Sequence, residues 1–314
     1  MFIYSLNLLG VINTNLPEYI QLLSSDPTNV YLIQSDGEAA VIDPYWVDPT
    51  LGVKELIKAA KPHRLTTAII THSHFDHYGG CPALEDKIKV EILAHIADAW
   101  IIEDPDAFFK QVYAYENPTV EKRDIMLKLA GGRGVKVNRV LRDGDFIEIG
   151  QKVLQVIHTP GHSYGSICLM DSEDMLLFTG DTPFPSEWLP SWLGLLVDAQ
   201  SYYNSLIKLS KIKPKTVLPG HGRIIAADEW GHEISAHIER FKICEETILN
   251  ILNEDSYTPL EKIRDRLIED ILNEINQDDV LFRTTEWQTV HSMMQKLCLD
   301  GKVEQGRGLA WRRL

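Results

Sequence analysis

The stretch Thr71-His72-Ser73-His74-Phe75-Asp76-His77-Tyr78-Gly79-Gly80 constrains this 314-residue chain more than any other. Three histidines and an aspartate fall within six positions, directly after the apolar run Thr67-Ala68-Ile69-Ile70, which is short enough to be a buried strand. A lone histidine is usually a satisfied core or surface residue. Four candidate ligands at one strand end instead point to a metal site, because imidazole and carboxylate together suit a divalent ion.

Three later stretches repeat the layout. Val153-Leu154-Gln155-Val156-Ile157 leads to Thr159-Pro160-Gly161-His162, Met175-Leu176-Leu177-Phe178 to Thr179-Gly180-Asp181, and Thr216-Val217-Leu218 to Pro219-Gly220-His221. Each strand-like run ends in a turn that carries a metal-capable side chain. Strand ends along one edge of a sheet converge, so His162, Asp181 and His221 are expected to join the first cluster.

The remaining pattern is mixed. A hairpin is predicted from Val30–Gln34 and Ala39–Ile42 around Ser35-Asp36-Gly37-Glu38, and a helix from Pro49 to Ala60. Between His77 and Val153 the chain reads as mostly helical, ending at Gly131-Gly132-Arg133-Gly134. From Glu229 the pattern turns helical again. Ile234, Ile238, Phe241, Ile248 and Leu252 form an apolar stripe, Thr258-Pro259-Leu260-Glu261 reads as a helix start, and another helix runs from Thr285 to Leu299. The tail Lys302–Arg312 reads as a hairpin. Two domains are therefore expected, 1–228 carrying the cluster and 229–314 forming a small helical unit of winged-helix type.

His72-x-His74-x-Asp76-His77, followed by His162, Asp181 and His221, resembles the signature of the metallo-β-lactamase superfamily. The glycine-flanked forms at His162, Asp181 and His221 look like those of its glyoxalase II-type hydrolases. The C-terminal part is similar to the extension of its lactamase-β-like 2 group. The resemblance covers about residues 20 to 225 and implies an α+β fold, an αββα sandwich with metals along one edge. It implies two divalent ions, zinc first, with iron and manganese also accepting this donor set. By motif, His72, His74 and His162 would hold one ion, Asp76, His77 and His221 the other, and Asp181 would bridge them; Asp76 is also the expected catalytic carboxylate. Two ions sharing a carboxylate lower the pKa of water and grip both the attacked oxygen and the leaving group. The expected reaction is hydrolysis of a thioester or lactone. The alternatives are a single-strand-specific endoribonuclease and a mononuclear iron dioxygenase.

Charge and composition narrow the partners. A net charge of −14, with 11 basic and 17 acidic residues in 229–314, opposes phosphate neutralisation, so no nucleic-acid partner is expected. No apolar run approaches the roughly 18 residues of a membrane span. No basic residue precedes Lys54 and no small-residue cleavage site follows the apolar start, so a cytoplasmic protein without a signal peptide is expected. Cys81, Cys168, Cys244 and Cys298 form no C-x-x-C pair and read as buried thiols. Phe184, Trp188, Leu189, Trp192, Leu195 and Leu196 follow Asp181 closely and are expected either to form an apolar lid or to face a second subunit of a homodimer. With Phe108, Phe109, Tyr113 and Tyr115 they favour a small-molecule substrate bearing an apolar acyl group. His158, four residues before His162, is a candidate support for that ligand.

Overall fold

The computed structural model describes residues 16–25, 28–45, 48–112, 120–129, 131–188, 194–272 and 286–314. Chain order runs β1 (Ile20–Ser25), β2 (Thr28–Ser35), β3 (Glu38–Ile42), α1 (Pro49–Ala59), β4 (Arg64–Ile70), α2 (Phe75–Tyr78), α3 (Cys81–Lys87), β5 (Glu91–His95), α4 (Ile96–Glu103), α5 (Pro105–Val112), α6 (Val120–Leu129) and β6 (Arg139–Leu141). It continues through β7 (Phe146–Ile149), β8 (Lys152–His158), β9 (Ile167–Asp171), β10 (Leu176–Gly180), α7 (Ala199–Leu209), β11 (Thr216–Pro219), β12 (Ile225–Ala226), α8 (Ala227–Ile251), β13 (Thr258–Pro259), α9 (Leu260–Leu272), α10 (Glu286–Leu299), β14 (Val303–Gln305) and β15 (Ala310–Arg313).

Two six-stranded sheets result, in the orders β1-β2-β3-β4-β5-β6 and β12-β11-β10-β9-β8-β7. Successive side chains of a strand point to opposite faces, and the sequence uses both. Tyr31 and Ile33 of β2, Ile69 of β4, Ile167 and Leu169 of β9, and Leu176 and Phe178 of β10 fill the space between the sheets. Val30, Leu32, Ala68 and Ile70 face the other way into a cluster with helical residues such as Val53, Leu84 and Ile101. Cys168, Met170 and Leu177 do the same against α7 and the C-terminal helices. This is the expected αββα sandwich.

Strand direction makes the site. β3, β4, β5 and β6 are mutually parallel, so β3 and β4 deliver their C-terminal ends to one edge. In the second sheet β8 and β10 both pair antiparallel with β9, and β10 pairs parallel with β11, so these three also end together. Backbone bonds stitch the two edges: Ile167 N–H donates to Thr71 O at 3.0 Å, and Asn29 N–H to Gly220 O at 2.7 Å.

Several expectations needed correction. The stretch after His77 is helical in α3, α4, α5 and α6 up to Leu129, as expected, but it also contributes β5, β6 and β7, which the sequence did not signal. β5 passes without a turn into α4, and His95 both ends the strand and caps the helix by accepting from Ala97 N–H at 3.3 Å. Apolar periodicity alone does not separate elements joined that tightly. β1 was not anticipated. Thr258 and Pro259 form β13 against Trp311 and Ala310, and α9 starts after them. The C-terminal segment consists of α8, α9 and α10 with a three-stranded sheet ordered β13-β15-β14. Its apolar residues, among them Phe241, Met293 and Trp311, share one cluster with Leu177 and Val217 of the second sheet. No helix among the described residues is long and apolar enough to cross a membrane.

Candidate metal centre

Four strand ends supply the cluster. His72 follows β4, with His74, Asp76 and His77 on the loop and short helix beyond it; His162 follows β8, Asp181 follows β10 and His221 follows β11. The structure brings all seven sequence-predicted side chains together. Potential ligand atoms of His72, His74, His162 and Asp181 lie within 4.8 Å of one another, and so do those of Asp76, His77 and His221.

Asp181 stands between the two groups. Its Oδ2 lies 3.8 Å from His72 Nε2, 3.3 Å from His162 Nε2 and 3.4 Å from His221 Nε2, while Oδ1 lies 3.5 Å from His77 Nε2. Asp76 Oδ2 lies 3.4 Å from His221 Nε2 and 3.8 Å from His77 Nε2. Among the described residues, His72 Nε2, His77 Nε2, His162 Nε2 and Asp181 Oδ1 are buried without a hydrogen-bond partner. Burying unpaired polar atoms is costly, and cations held in the two groups would satisfy all four. The donor set therefore fits a metal.

The opposite ring nitrogens are occupied, which fixes each ring. His162 Nδ1 donates to Leu195 O at 2.9 Å, and His77 Nδ1 to Asp43 Oδ2 at 2.9 Å. Thr71 Oγ1 donates to Asp43 Oδ2 at 2.7 Å, which leaves its oxygen to accept from His72 Nδ1 at 3.1 Å. Thr71 N–H reaches Asp43 Oδ1 at 2.8 Å. One buried carboxylate thus sets the tautomers of His77 directly and His72 through Thr71, and both present Nε2 to the centre. Glycine is required where Asp181 is approached most closely. A Cβ on Gly220 would lie 2.7 Å from Asp181 Oδ1 and 2.8 Å from His77 Cε1.

The electrostatics divide the cluster. Burial and the neighbouring imidazoles hold His72 and His74 well below the ordinary histidine value. Burial also works against a proton on His77, but Asp181, Asp43 and Asp76 outweigh it and raise that group to about 10. His221 moves up as well, where Asp181 and Asp76 overcome burial. Burial would raise both Asp181 and Asp76, yet His221 and His77 hold them below the carboxylate range. Two ionised carboxylates are thus matched by two histidine protons, which a bound dication would replace.

Sequence reading missed two residues. Asp43 directly follows β3, the same strand-then-ligand layout that exposed the other positions. Asp98, fully buried in α4, accepts from Ser73 N–H at 2.8 Å, Gly165 N–H at 2.7 Å and Ser163 Oγ at 2.6 Å. It ties the His72–His77 loop to the loop carrying His162, and burial raises its pKa. No local pattern marks it, because its partners are 25 to 67 residues away.

Other candidates fall elsewhere. His158 stacks on His95 with ring centroids 3.9 Å apart and donates from Nε2 to Tyr164 O. Leu195 and Leu196 are buried in the two outer apolar clusters, and Phe184 packs on His237. Phe108, buried, sets its ring 5.4 Å from that of His74. Leu189, Trp192, Tyr113, Tyr115 and the Trp188 side chain lie outside the described residues.

Comparison with known proteins places these features in context. Residues 24–221 match the family model described as the metallo-beta-lactamase superfamily. The chain is 30% identical over 241 residues to the acyl-coenzyme A thioesterase MBLAC2 of Bos taurus, covering 70% of this chain and 82% of that protein. It is 26% identical over 281 residues to the beta-lactamase-like protein 2 homolog of Caenorhabditis elegans, covering 88% and 80%. Its fold is similar to that of a metallo-beta-lactamase family protein from Thermus thermophilus, with a TM-score of 0.71, 22% identity and coverage of 91% and 94%.

Proposed function

The chain belongs to the metallo-beta-lactamase superfamily, and from that premise we propose that it is a metal-dependent hydrolase acting on a small acyl thioester. The observation that carries this reading is the convergence of two ligand groups on Asp181, with buried ring nitrogens left unpartnered around it. His72, His74, His162 and Asp181 would hold one divalent ion, and Asp76, His77, His221 and the shared Asp181 the other. Zinc suits this nitrogen-rich set, and iron or manganese would also be accepted. When bound, such ions supply Lewis acidity that activates water and steadies charge on the attacked carbonyl.

The chain's own residues do the rest. The Asp76 side chain is 36% exposed, against 12% for His221 and 7% for Asp181, so it faces the open side of the centre. Its ionised carboxylate would accept a hydrogen bond from the attacking water and orient it. Asp43 and Leu195 O hold the imidazole tautomers. Residues 229–314, with 11 basic and 17 acidic side chains, are read as a winged-helix-like unit that supports the site and binds no nucleic acid.

A thioester is favoured over a lactone by the thioesterase relative of Bos taurus. The test is a panel of acyl thioesters of increasing chain length, lactones and single-stranded RNA. Each methylene of the acyl group that leaves water contributes about 0.8 kcal/mol, roughly fourfold in binding. Thioester kcat/KM should therefore climb with chain length. Metal-dependent RNA cleavage without thioester turnover would overturn the reading.

A further inference from the structure

The bond from His162 to Leu195 O joins a candidate ligand to a segment that a different part of the chain holds in place. Leu195 is flanked by two backbone groups, Gly194 O and Leu196 N–H, and both end on one side chain. The Thr289 hydroxyl donates to Gly194 O at 2.8 Å and accepts from Leu196 N–H at 2.9 Å. Thr289 is buried in the first turns of α10, more than a hundred residues beyond His162. The segment turns at Gly194, whose φ of +74° lies in the left-handed region that favours glycine.

On its other side the same segment grips the His162 loop itself. Val197 N–H and Asp198 N–H both donate to Gly161 O, at 2.8 and 3.2 Å. Gln288, next to Thr289, reaches Val197 O from Nε2 at 3.5 Å. The path therefore runs unbroken from α10 through residues 194–198 to the ring of His162.

We propose that Thr289 is a positioning residue for the metal centre, fixing through the Leu195 carbonyl the tautomer and orientation of His162. The proposal rests on the reading of His162 as a metal ligand. While Leu195 O accepts from Nδ1, the lone pair stays on Nε2, 3.3 Å from Asp181 Oδ2. Removing the hydroxyl leaves two buried backbone groups around Leu195 unpaired, and the carbonyl between them loses its fixed position. The C-terminal segment is then part of the centre's framework rather than an appendage.

The experiment measures metal affinity of the full chain by chelator competition with Zn and, in parallel, cobalt absorbance. Thr289→Val keeps the shape and removes the hydroxyl; Thr289→Ser keeps the hydroxyl. Ser292→Ala perturbs the same helix, where Ser292 Oγ donates to Thr289 O, without touching residue 195. Groups bonded directly to a metal-ligating histidine, as Leu195 O is to His162, are worth about 10- to 100-fold in metal affinity, and Thr289, which holds that carbonyl, draws on the lower end. Thr289→Val should weaken one ion by at least about tenfold and alter the cobalt spectrum, with Thr289→Ser and Ser292→Ala within about twofold of the parent. If His162→Ala loses an ion while Thr289→Val does not, the positioning role is wrong and the metal reading stands. Equal loss in Ser292→Ala would reduce Thr289 to a general packing role and overturn the proposal. If His162→Ala keeps both ions, the ligand reading fails and the proposal with it.

Discussion

Replacing Asp43 with asparagine should cripple the centre without unfolding the protein. Asp43 sits at a φ of +52°, a left-handed conformation that asparagine tolerates better than most residues, so the backbone is not strained by the change. The amide oxygen must face Thr71 N–H, a donor with no alternative, as Asp43 Oδ1 does now. That places the new NH2 where Oδ2 receives Thr71 Oγ1 and His77 Nδ1. Facing a donor, His77 can keep a bond only by shifting its proton to Nε2. The Thr71 hydroxyl must then accept from the amide, which turns its proton toward His72 Nδ1 and drives the same tautomer change there. Two of the rings around Asp181 would thus offer an N–H in place of a lone pair. Changes to such supporting groups cost about 10- to 100-fold in metal affinity, and two affected ligands put Asp43→Asn at the upper end, about 2.7 kcal/mol. Chelator competition reads the affinity, and circular dichroism of the metal-free protein reads the fold. Affinity within about twofold of the parent would refute the tautomer argument.

Three further outcomes follow from buried groups. Asp98→Ala strips Ser73 N–H and Gly165 N–H of their acceptor, while Ser163 Oγ can turn to Ser166 Oγ at 2.8 Å, and at about 1–3 kcal/mol per orphaned donor it should destabilise by at least about 2 kcal/mol in urea unfolding; a loss under about 1 kcal/mol would remove Asp98 as the link between the loops. Gly220→Ala should lose metal while keeping its secondary structure, since its methyl would meet Asp181 Oδ1, and a fully metallated variant would contradict the close approach described above. His237 is buried, donates from Nε2 to Phe184 O and accepts from Tyr202 OH, and burial holds it down to about 4. Below the ordinary value of 6.5 the unfolded chain takes up a proton that the folded chain refuses, so stability from this group is complete above about pH 6.5 and drains as pH falls toward 4, by about 3 kcal/mol. Unfolding curves of the parent should therefore fall more steeply with acid than those of His237→Gln, and parallel curves would show that His237 is not held neutral.

Much of the site was legible because its chemistry is written locally. His72, His74, Asp76 and His77 stand in one loop, and His162, Asp181 and His221 each follow a strand-like run, so the local pattern points to all seven candidates, which the fold brings together. The hairpin of β2 and β3 was legible for a similar reason, with Asp36 and Gly37 both at positive φ in its turn. What stayed hidden depends on distance. Asp98 and Thr289 act on residues far away in sequence, and a buried aspartate in an apolar helix or a threonine near a helix start carries no local sign of its partner. β5 was hidden because the strand flows directly into α4. Asp43 could have been found, since Ile42-Asp43 ends a strand as the candidate ligands do, but it has no neighbouring histidine to draw attention to it.

The proposed function turns on one feature, the sharing of Asp181 by two metal ions. Its most direct test is metal counting on the purified chain and on Asp181→Ala, with acyl-thioester turnover measured on the same samples. About two transition-metal ions per parent chain are expected, about one or fewer in the variant, with nearly all turnover lost alongside them. A parent holding a single ion, or a variant that keeps both its metal and its activity, would contradict it.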